Sequence, residues 1–379
     1  MRLAALPLAL ALTLAACSSE DGDDPDGADR TGTPSSPATA APTRTTSPSD
    51  EPSSAPANRK PKVVDTIATD LEAPWGLDFL PDGTAIVTER DTRRVLAVTE
   101  DDVTEVGVID QAAPEGEAGL LGVAVSPTYD EDSLLYFYAT TSEDNRIVRA
   151  TYDGTRLGPT EPILTGIPNG FIHDGGRLEF GPDGFLYAST GETGVPGLAQ
   201  DRGSLGGKIL RFTPDGDPAR GNPDPDSPVW TWGHRNVQGL AFDDTGQLWA
   251  SEFGQNTFDE LNRIDKGDNY GWPAVEGKGG APDYTDPQVV WRTSEASPSG
   301  LAYADGHLWM ASLRGERLWR VSVDGRKATD PTDFFVGDYG RIRTVEVAPD
   351  GNLWVTTSNR DGRGDPADDD DRILVVRPS

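Results

Sequence analysis

The sequence has only one cysteine, Cys17, and only three histidines among its 379 residues. A single cysteine cannot form an intramolecular disulfide, so the fold must depend on a large hydrophobic core. Basic side chains are also scarce, because 33 Lys and Arg face 63 Asp and Glu and leave a net charge of −30. This balance opposes sequence-independent binding to nucleic acid or anionic lipid, and we expect no nucleic-acid partner.

The sequence also lacks an apolar run near its start that could span a bilayer. The apolar stretch over residues 3–16 has 14 residues, whereas a membrane-spanning helix needs about 20. Together with Arg2 it predicts a signal peptide over residues 1–17. The ending Leu14-Ala15-Ala16-Cys17 resembles a bacterial lipobox, whose cysteine is lipidated. We therefore expect an exported lipoprotein held at the outer face of the cell membrane by its lipid anchor only; an ordinary secretory signal is the alternative.

Two further segments follow the signal peptide. Residues 18–60 are rich in Ser, Thr, Pro and Asp, and Ala is the only apolar side chain up to residue 57. Such a segment cannot offset the entropy of ordering, which predicts a disordered tether. No second linker divides residues 61–379, so we expect one domain there.

Glycine and proline are abundant, with 43 and 31 residues, which favours short strands and turns over a helical bundle. A turn resembling Pro-Asp-Gly, followed by a short apolar or aromatic strand, recurs six times with spacings of 45 to 62 residues. Its six markers are Gly83, Asp132 (a diverged copy), Gly184, Gly246, Gly306 and Gly351. This repeat predicts an all-β fold, a six-bladed β-propeller of four-stranded antiparallel blades. One aromatic position recurs in four copies, and we expect these residues to pack between blades: Tyr187, Trp249, Trp309 and Trp354.

Polar segments open the inner strands, where a propeller presents the mouth of its channel. Arg341 and Arg343 lie two residues apart before one such strand, and Arg235 and Arg314 hold comparable places in two other blades. Converging arginines need either a bound anion or local Asp and Glu partners, and the sequence leaves both open. His173 lies in a Gly-rich loop and is either a general base or a structural residue.

Several motifs follow one another in a fixed order over residues 72–377. They are Gly119-Leu120-Leu121-Gly122, His173-Asp174-Gly175-Gly176-Arg177-Leu178, Gly206-Gly207-Lys208-Ile209-Leu210-Arg211, Gly233-His234-Arg235-Asn236, Asp259-Glu260-Leu261-Asn262 and Asn269-Tyr270-Gly271-Trp272-Pro273. In this order they resemble the soluble quinoprotein sugar dehydrogenases, the family of soluble glucose dehydrogenase and aldose sugar dehydrogenase. The resemblance implies a six-bladed propeller that binds pyrroloquinoline quinone (PQQ) and calcium.

The resemblance also implies a role for each matching residue. His173 would be the general base that takes the substrate hydroxyl proton, and Arg235 would stabilise developing negative charge on the quinone oxygen. The residues implied to bind the cofactor are Glu117, Arg235, Asn236, Arg314, Arg341 and Arg343. The residues implied to bind calcium are Gly254 and Gln255, through backbone carbonyls at the cofactor, and Glu260 and Tyr270 at a second, structural site. Turn packing is the alternative for that second pair.

Some positions depart from the family pattern. Glu117 stands where the family commonly has Gln, and a carboxylate would repel a tricarboxylate quinone unless it were protonated or turned away. Phe253 and Gln255 replace a polar residue and a proline of the glucose enzyme's calcium loop, and Arg314 replaces a lysine. The connecting loops are also short. These departures favour the aldose sugar dehydrogenase branch, and we expect a monomer.

Three functions are consistent with the sequence. The first is an oxidoreductase that oxidises the C1 hydroxyl of an aldose, or a similar alcohol, and passes electrons to an external acceptor. The second is a calcium-dependent propeller lactonase, which the arginine-rich mouth opposes. The third is a non-catalytic binding propeller that has lost the cofactor. Quinone binding separates the first from the other two.

Overall fold

The structure is a computed structural model that describes residues 60–378. The predicted signal peptide, Cys17 and the predicted tether up to residue 59 lie outside the described residues. Within residues 60–378, no helix is long and apolar enough to cross a membrane. The described residues form six four-stranded antiparallel sheets, which confirms the predicted six-bladed propeller.

Each of the first three blades follows the chain from its innermost to its outermost strand, whereas β1 (Lys62–Ala68) belongs to the last blade. Blade 1 contains β2 (Pro74–Phe79), β3 (Ala85–Glu89), β4 (Arg94–Val98) and β5 (Val103–Val108). Blade 2 contains β6 (Leu120–Val125), β7 (Leu134–Thr140), β8 (Asn145–Thr151) and β9 (Glu161–Ile167). Blade 3 contains β10 (Leu178–Phe180), β11 (Leu186–Ser189), β12 (Lys208–Phe212) and β13 (Val229–Trp232).

The remaining three blades repeat this order. Blade 4 contains β14 (Val237–Phe242), β15 (Leu248–Glu252), β16 (Phe258–Ile264) and β17 (Val289–Arg292). Blade 5 contains β18 (Pro298–Ala304), β19 (His307–Ser312), β20 (Arg317–Asp324) and β21 (Lys327–Phe334). Blade 6 contains β22 (Ile342–Val347), β23 (Leu353–Thr357), β24 (Ile373–Arg377) and, as its outermost strand, β1. The described residues also contain a helical turn, α1 (Tyr129–Asp132), and a 3₁₀ helix (Pro196–Ala199).

The repeated turn joins the two innermost strands of each blade. At five of the six markers a glycine adopts a φ between +77° and +91°, a conformation that costs glycine little. In the diverged copy α1 replaces the turn and ends at Asp132, and its C-cap residue Ser133 has a φ of +54°. The repeat therefore fixes six inner strands that begin at the same end of the ring.

The core lies between neighbouring blades. Tyr187, Trp249, Trp309 and Trp354 are all buried, as expected for aromatic packing between sheets. In blade 6, β1 pairs antiparallel with β24, from Lys62 opposite Arg377 to Ala68 opposite Ile373. Because the chain continues from β1 into β2 of blade 1, this pairing joins blades 6 and 1. The first strand of the domain thus completes the last blade, which closes the ring and holds the channel mouth together.

Candidate active site

A polar cavity of about 340 Å³ lies where the inner strands begin. Its wall combines ten residues from five blades, and half of these residues are arginines. The lining residues are Arg90, Glu117, Gln238, Phe253, Ser297, Leu313, Arg314, Arg341, Arg343 and Arg363. Three of the four arginines expected to converge, Arg314, Arg341 and Arg343, line this cavity, whereas Arg235 is not among its lining residues. Arg90 and Arg363 add two positive charges that the sequence motifs did not indicate.

The arginines of the cavity differ in how they are paired. Arg341 and Arg343 both donate to Asp361 Oδ2, at 2.8 Å and 3.1 Å, so local acidic pairing accounts for these two. Burial lowers the pKa of Arg343 to about 9 despite Asp361. Arg314, by contrast, is exposed; it donates no hydrogen bond to any residue of 60–378. One carboxylate shared by two guanidinium groups leaves a positive surplus, which suits an anionic ligand.

His173 is held from two directions beside this cavity. Its backbone adopts a φ of +61°, and its backbone N–H donates to Glu117 Oε2 at 2.9 Å. Its Nδ1 lies 2.5 Å from Glu192 Oε1. An ionised carboxylate only accepts hydrogen bonds, so we assign the ring proton to Nδ1, which leaves the Nε2 lone pair available. The geometry therefore suits His173 as a base.

Glu192 was not predicted from the sequence. Its side chain is almost completely buried, and Oε2 has no hydrogen-bond partner among the described residues. The available signal was an acidic residue in the Gly191-Glu192-Thr193-Gly194 turn that follows β11. A buried carboxylate on the far nitrogen of a histidine orients the ring and stabilises its protonated form.

Arg235 and Asn236 follow β13 and lie beside the same loops. Arg235 Nη1 donates to the carbonyl oxygen of Gly254 at 2.6 Å, whereas its buried Nε has no partner among the described residues. That orphaned donor fits an additional oxygen acceptor. Asn236 is buried, and its Oδ1 accepts from the backbone N–H of Gly175 at 3.0 Å, so it supports the His173 loop from behind.

The predicted calcium loop follows β15. Glu276 Oε1 accepts backbone N–H hydrogen bonds from residues 255 to 258, at distances of 2.7 to 3.1 Å. These bonds fix the backbone that carries the carbonyls of Gly254 and Gln255. Carbonyl oxygens are suitable ligands for Ca²⁺, so the donor type fits, although the Gly254 carbonyl already accepts from Arg235. The calcium assignment remains a prediction.

Glu260 lies on β16 of blade 4 and Tyr270 in the connection that follows this strand, and their side chains have different partners. Glu260 Oε1 accepts from the backbone N–H of Gly277 at 2.7 Å, and burial, with repulsion from Glu252, raises the pKa of Glu260 to about 8. The Tyr270 hydroxyl donates to the Arg263 carbonyl at 2.7 Å. Within the described residues, no cluster of three or more His, Cys, Asp or Glu side chains forms a metal site. The second calcium site therefore also remains a prediction.

Arg177, directly before β10 in blade 3, contacts residues of blades 4, 6 and 1. Its Nε donates to the Gln238 carbonyl at 3.0 Å and its Nη2 to Thr344 Oγ1 at 3.1 Å. Its guanidinium lies 4.5 Å from the Trp75 ring centroid, and burial lowers its pKa to about 10. Because Gln238 also lines the cavity, this arginine supports one residue of the cavity wall.

Comparison with known proteins agrees with this architecture. The family model described as glucose/sorbosone dehydrogenase matches residues 71–373. The structure of a PQQ-bound aldose sugar dehydrogenase from Streptomyces coelicolor superposes with a TM-score of 0.82 and 56% identity, covering 85% of this chain and 98% of that one. The aldose sugar dehydrogenase of Escherichia coli is 29% identical over 338 residues, covering 79% of this chain and 91% of the relative. The chain therefore belongs to the glucose/sorbosone dehydrogenase family, in the aldose sugar dehydrogenase branch.

Proposed function

We propose that the protein is a PQQ-dependent dehydrogenase that oxidises the C1 hydroxyl of an aldose sugar to the corresponding lactone. The observation that carries this proposal is the arginine-lined cavity beside a carboxylate-held histidine. The relative from S. coelicolor, which is 56% identical, has a structure with PQQ bound. Two electrons and two protons leave the sugar, and an external acceptor finally takes the electrons.

His173 removes the proton from the sugar hydroxyl. Its Nε2 is the free ring nitrogen, since Nδ1 faces Glu192 at 2.5 Å. Glu192 keeps the ring in this tautomer and stabilises the imidazolium that forms. When bound, PQQ supplies the electrophilic carbonyl that accepts the hydride from C1.

The arginines bind and orient the anionic cofactor. Arg314, Arg341 and Arg343 line one cavity and would hold carboxylates of PQQ. Arg235, whose Nε lacks a partner among residues 60–378, would donate to the quinone oxygen where negative charge develops. Asn236 supports the backbone of the His173 loop, and the carbonyls of Gly254 and Gln255 would hold a calcium ion that polarises the quinone.

The experiment measures dye reduction by the purified fragment 58–379 with added Ca²⁺ and PQQ across a panel of aldoses and simple alcohols. We expect turnover that requires both additions. His173→Ala should lower turnover by about 10³-fold, because proton removal loses its base, while PQQ affinity stays the same. An inactive wild-type fragment that also fails to bind PQQ would reject the dehydrogenase and favour the binding propeller.

We also propose that the mature protein is a monomeric lipoprotein anchored outside the cell membrane through Cys17. The lipobox-like Leu14-Ala15-Ala16-Cys17 and the polar segment that follows it support the lipid anchor, and the short connecting loops support the monomer.

A further inference from the structure

An ion pair spans the mouth of the cavity. Glu117 Oε1 lies 2.7 Å from Arg363 Nη1, which joins the loop before β6 in blade 2 to the β23–β24 connection in blade 6. The Arg363 side chain is half exposed, whereas that of Glu117 is 17% exposed. The two residues are 246 positions apart in the chain, so no local pattern indicated that they pair.

The other oxygen of the same carboxylate holds the His173 loop. Glu117 Oε2 accepts the backbone N–H of His173 at 2.9 Å, and the Glu117 N–H donates to the Phe171 carbonyl at 3.0 Å. A Cβ atom at Gly116 would lie 2.2 Å from that carbonyl oxygen, so the two loops are in direct contact. One carboxylate therefore links Arg363 to the backbone of the proposed base.

This arrangement creates an electrostatic conflict that the ion pair resolves. Glu117 lines the cavity that would hold a tricarboxylate. Although burial opposes ionisation, the His173 N–H and the Arg363 guanidinium lower the pKa of Glu117 below its ordinary value. Glu117 is therefore ionised at neutral pH, neither protonated nor turned away. An unpaired carboxylate in this position would repel the cofactor.

We propose that Arg363 neutralises Glu117 and so lets the cavity bind an anionic quinone while Glu117 still holds the His173 loop, a role that rests on the proposed quinone binding. Arg363 is then a positioning residue that acts through Glu117. If Arg363 instead bound the quinone directly, its effect on PQQ affinity would not depend on Glu117. A pair of substitutions can therefore separate the two roles.

The test is a double-mutant cycle on PQQ affinity, measured by calorimetry with the calcium-supplied, quinone-free protein. We expect Arg363→Met to weaken PQQ binding by about tenfold or more, because Glu117 is left as an unpaired carboxylate. Glu117→Gln keeps an oxygen acceptor for the His173 N–H and should bind PQQ at least as tightly as the wild type. The double variant should recover most of the affinity that Arg363→Met loses.

Two further variants control for folding and for charge. Arg363→Lys keeps the positive charge and should lose less affinity than Arg363→Met. Arg326→Met removes a 70% exposed arginine paired with Asp265 away from the cavity and should bind like the wild type. An Arg363→Met variant with wild-type affinity, or a double variant as weak as Arg363→Met, would overturn the proposal. A wild-type protein that binds no PQQ would instead overturn the proposed function, and the role of Arg363 with it.

Discussion

At the scale of single residues, the contact between Glu192 and His173 bears on the proposed role of the histidine as a base. We expect Glu192→Gln to lower kcat by about 10²-fold, because a neutral amide stabilises the imidazolium less and can present the wrong group to Nδ1. KM and PQQ affinity should change little, since Glu192 does not line the cavity. Steady-state kinetics with saturating PQQ measure this effect.

The control for this substitution is Glu161→Gln, which removes a 65% exposed carboxylate from the outer strand of blade 2. It should leave kcat unchanged. Equal kcat values for Glu192→Gln and the wild type would show that the carboxylate does not assist His173.

Single-residue identities in the site were predictable only where a motif carried them. His173, Arg341 and Arg343 stood out because their residue types and spacing are unusual in an acidic chain. Glu192 and Arg363 did not, because the chain has 63 acidic and 33 basic residues and their partners are fixed only by tertiary structure. Glu117 looked like a conflict with the cofactor until the structure placed Arg363 beside it.

At the scale of elements, three inner strands carry an acidic residue at the same register position. Asp78, Glu179 and Glu346 pair with Ile86, Tyr187 and Trp354 on the neighbouring strands. Burial raises the pKa of Asp78 to about 6 and, with repulsion from Asp78, that of Glu346 to about 8. Burial and repulsion from Glu346 and Asp78 raise the pKa of Glu179 well above its ordinary value. The folded state therefore binds protons more tightly than the unfolded chain.

This linkage predicts how stability depends on pH. A carboxyl group with a raised folded pKa stabilises the protein below its unfolded pKa, and that contribution is lost as pH rises towards the folded value. For Glu346 this window runs from about 4.5 to about 8. Between pH 5 and pH 8.5 we expect the Tm of the wild type to fall further than that of Glu346→Gln. The difference between the two falls should be about 3 °C or more.

Scanning calorimetry at several pH values gives this comparison. Glu143→Gln is the matched control, because its carboxylate is 81% exposed on the surface. If Glu346→Gln and the wild type showed parallel Tm curves, the inner-strand acids would not be coupled to folding.

The strands themselves were the most predictable elements. Five of the six repeats could be predicted from their glycine turns, because the residue at each of these markers has a positive φ, which glycine adopts easily. The copy at Asp132 lacks that glycine, and its short helix α1 was not expected. The role of β1 also lay beyond local patterns, because nothing in Lys62–Ala68 indicates that its partner is the last strand of the chain.

At the scale of the whole molecule, the proposed lipid anchor should determine where the protein is located without affecting its catalytic activity. We expect Cys17→Ser to move the protein from the membrane fraction to the soluble fraction, because a serine cannot receive the lipid. Specific activity with added PQQ and Ca²⁺ should stay unchanged, since the cavity lies within residues 90–363.

Fractionation and intact mass of both proteins measure this outcome. Ser19→Ala, a substitution in the same segment that keeps the cysteine, should remain in the membrane fraction. Membrane retention of Cys17→Ser would contradict lipid anchoring.

The pairing of β1 with β24 has a consequence for biosynthesis. The ribosome makes Lys62 first and its partner Arg377 more than 300 residues later, so β1 has no partner throughout synthesis of the domain. The ring cannot close before β24 has been made, because β24 is the strand with which β1 pairs. Forming a contact between residues so far apart in the chain has an unfavourable loop-closure entropy and slows folding. Because the cavity mouth includes residues of blades 1 and 6, its completion depends on a pairing between the first and the last strands of the described residues.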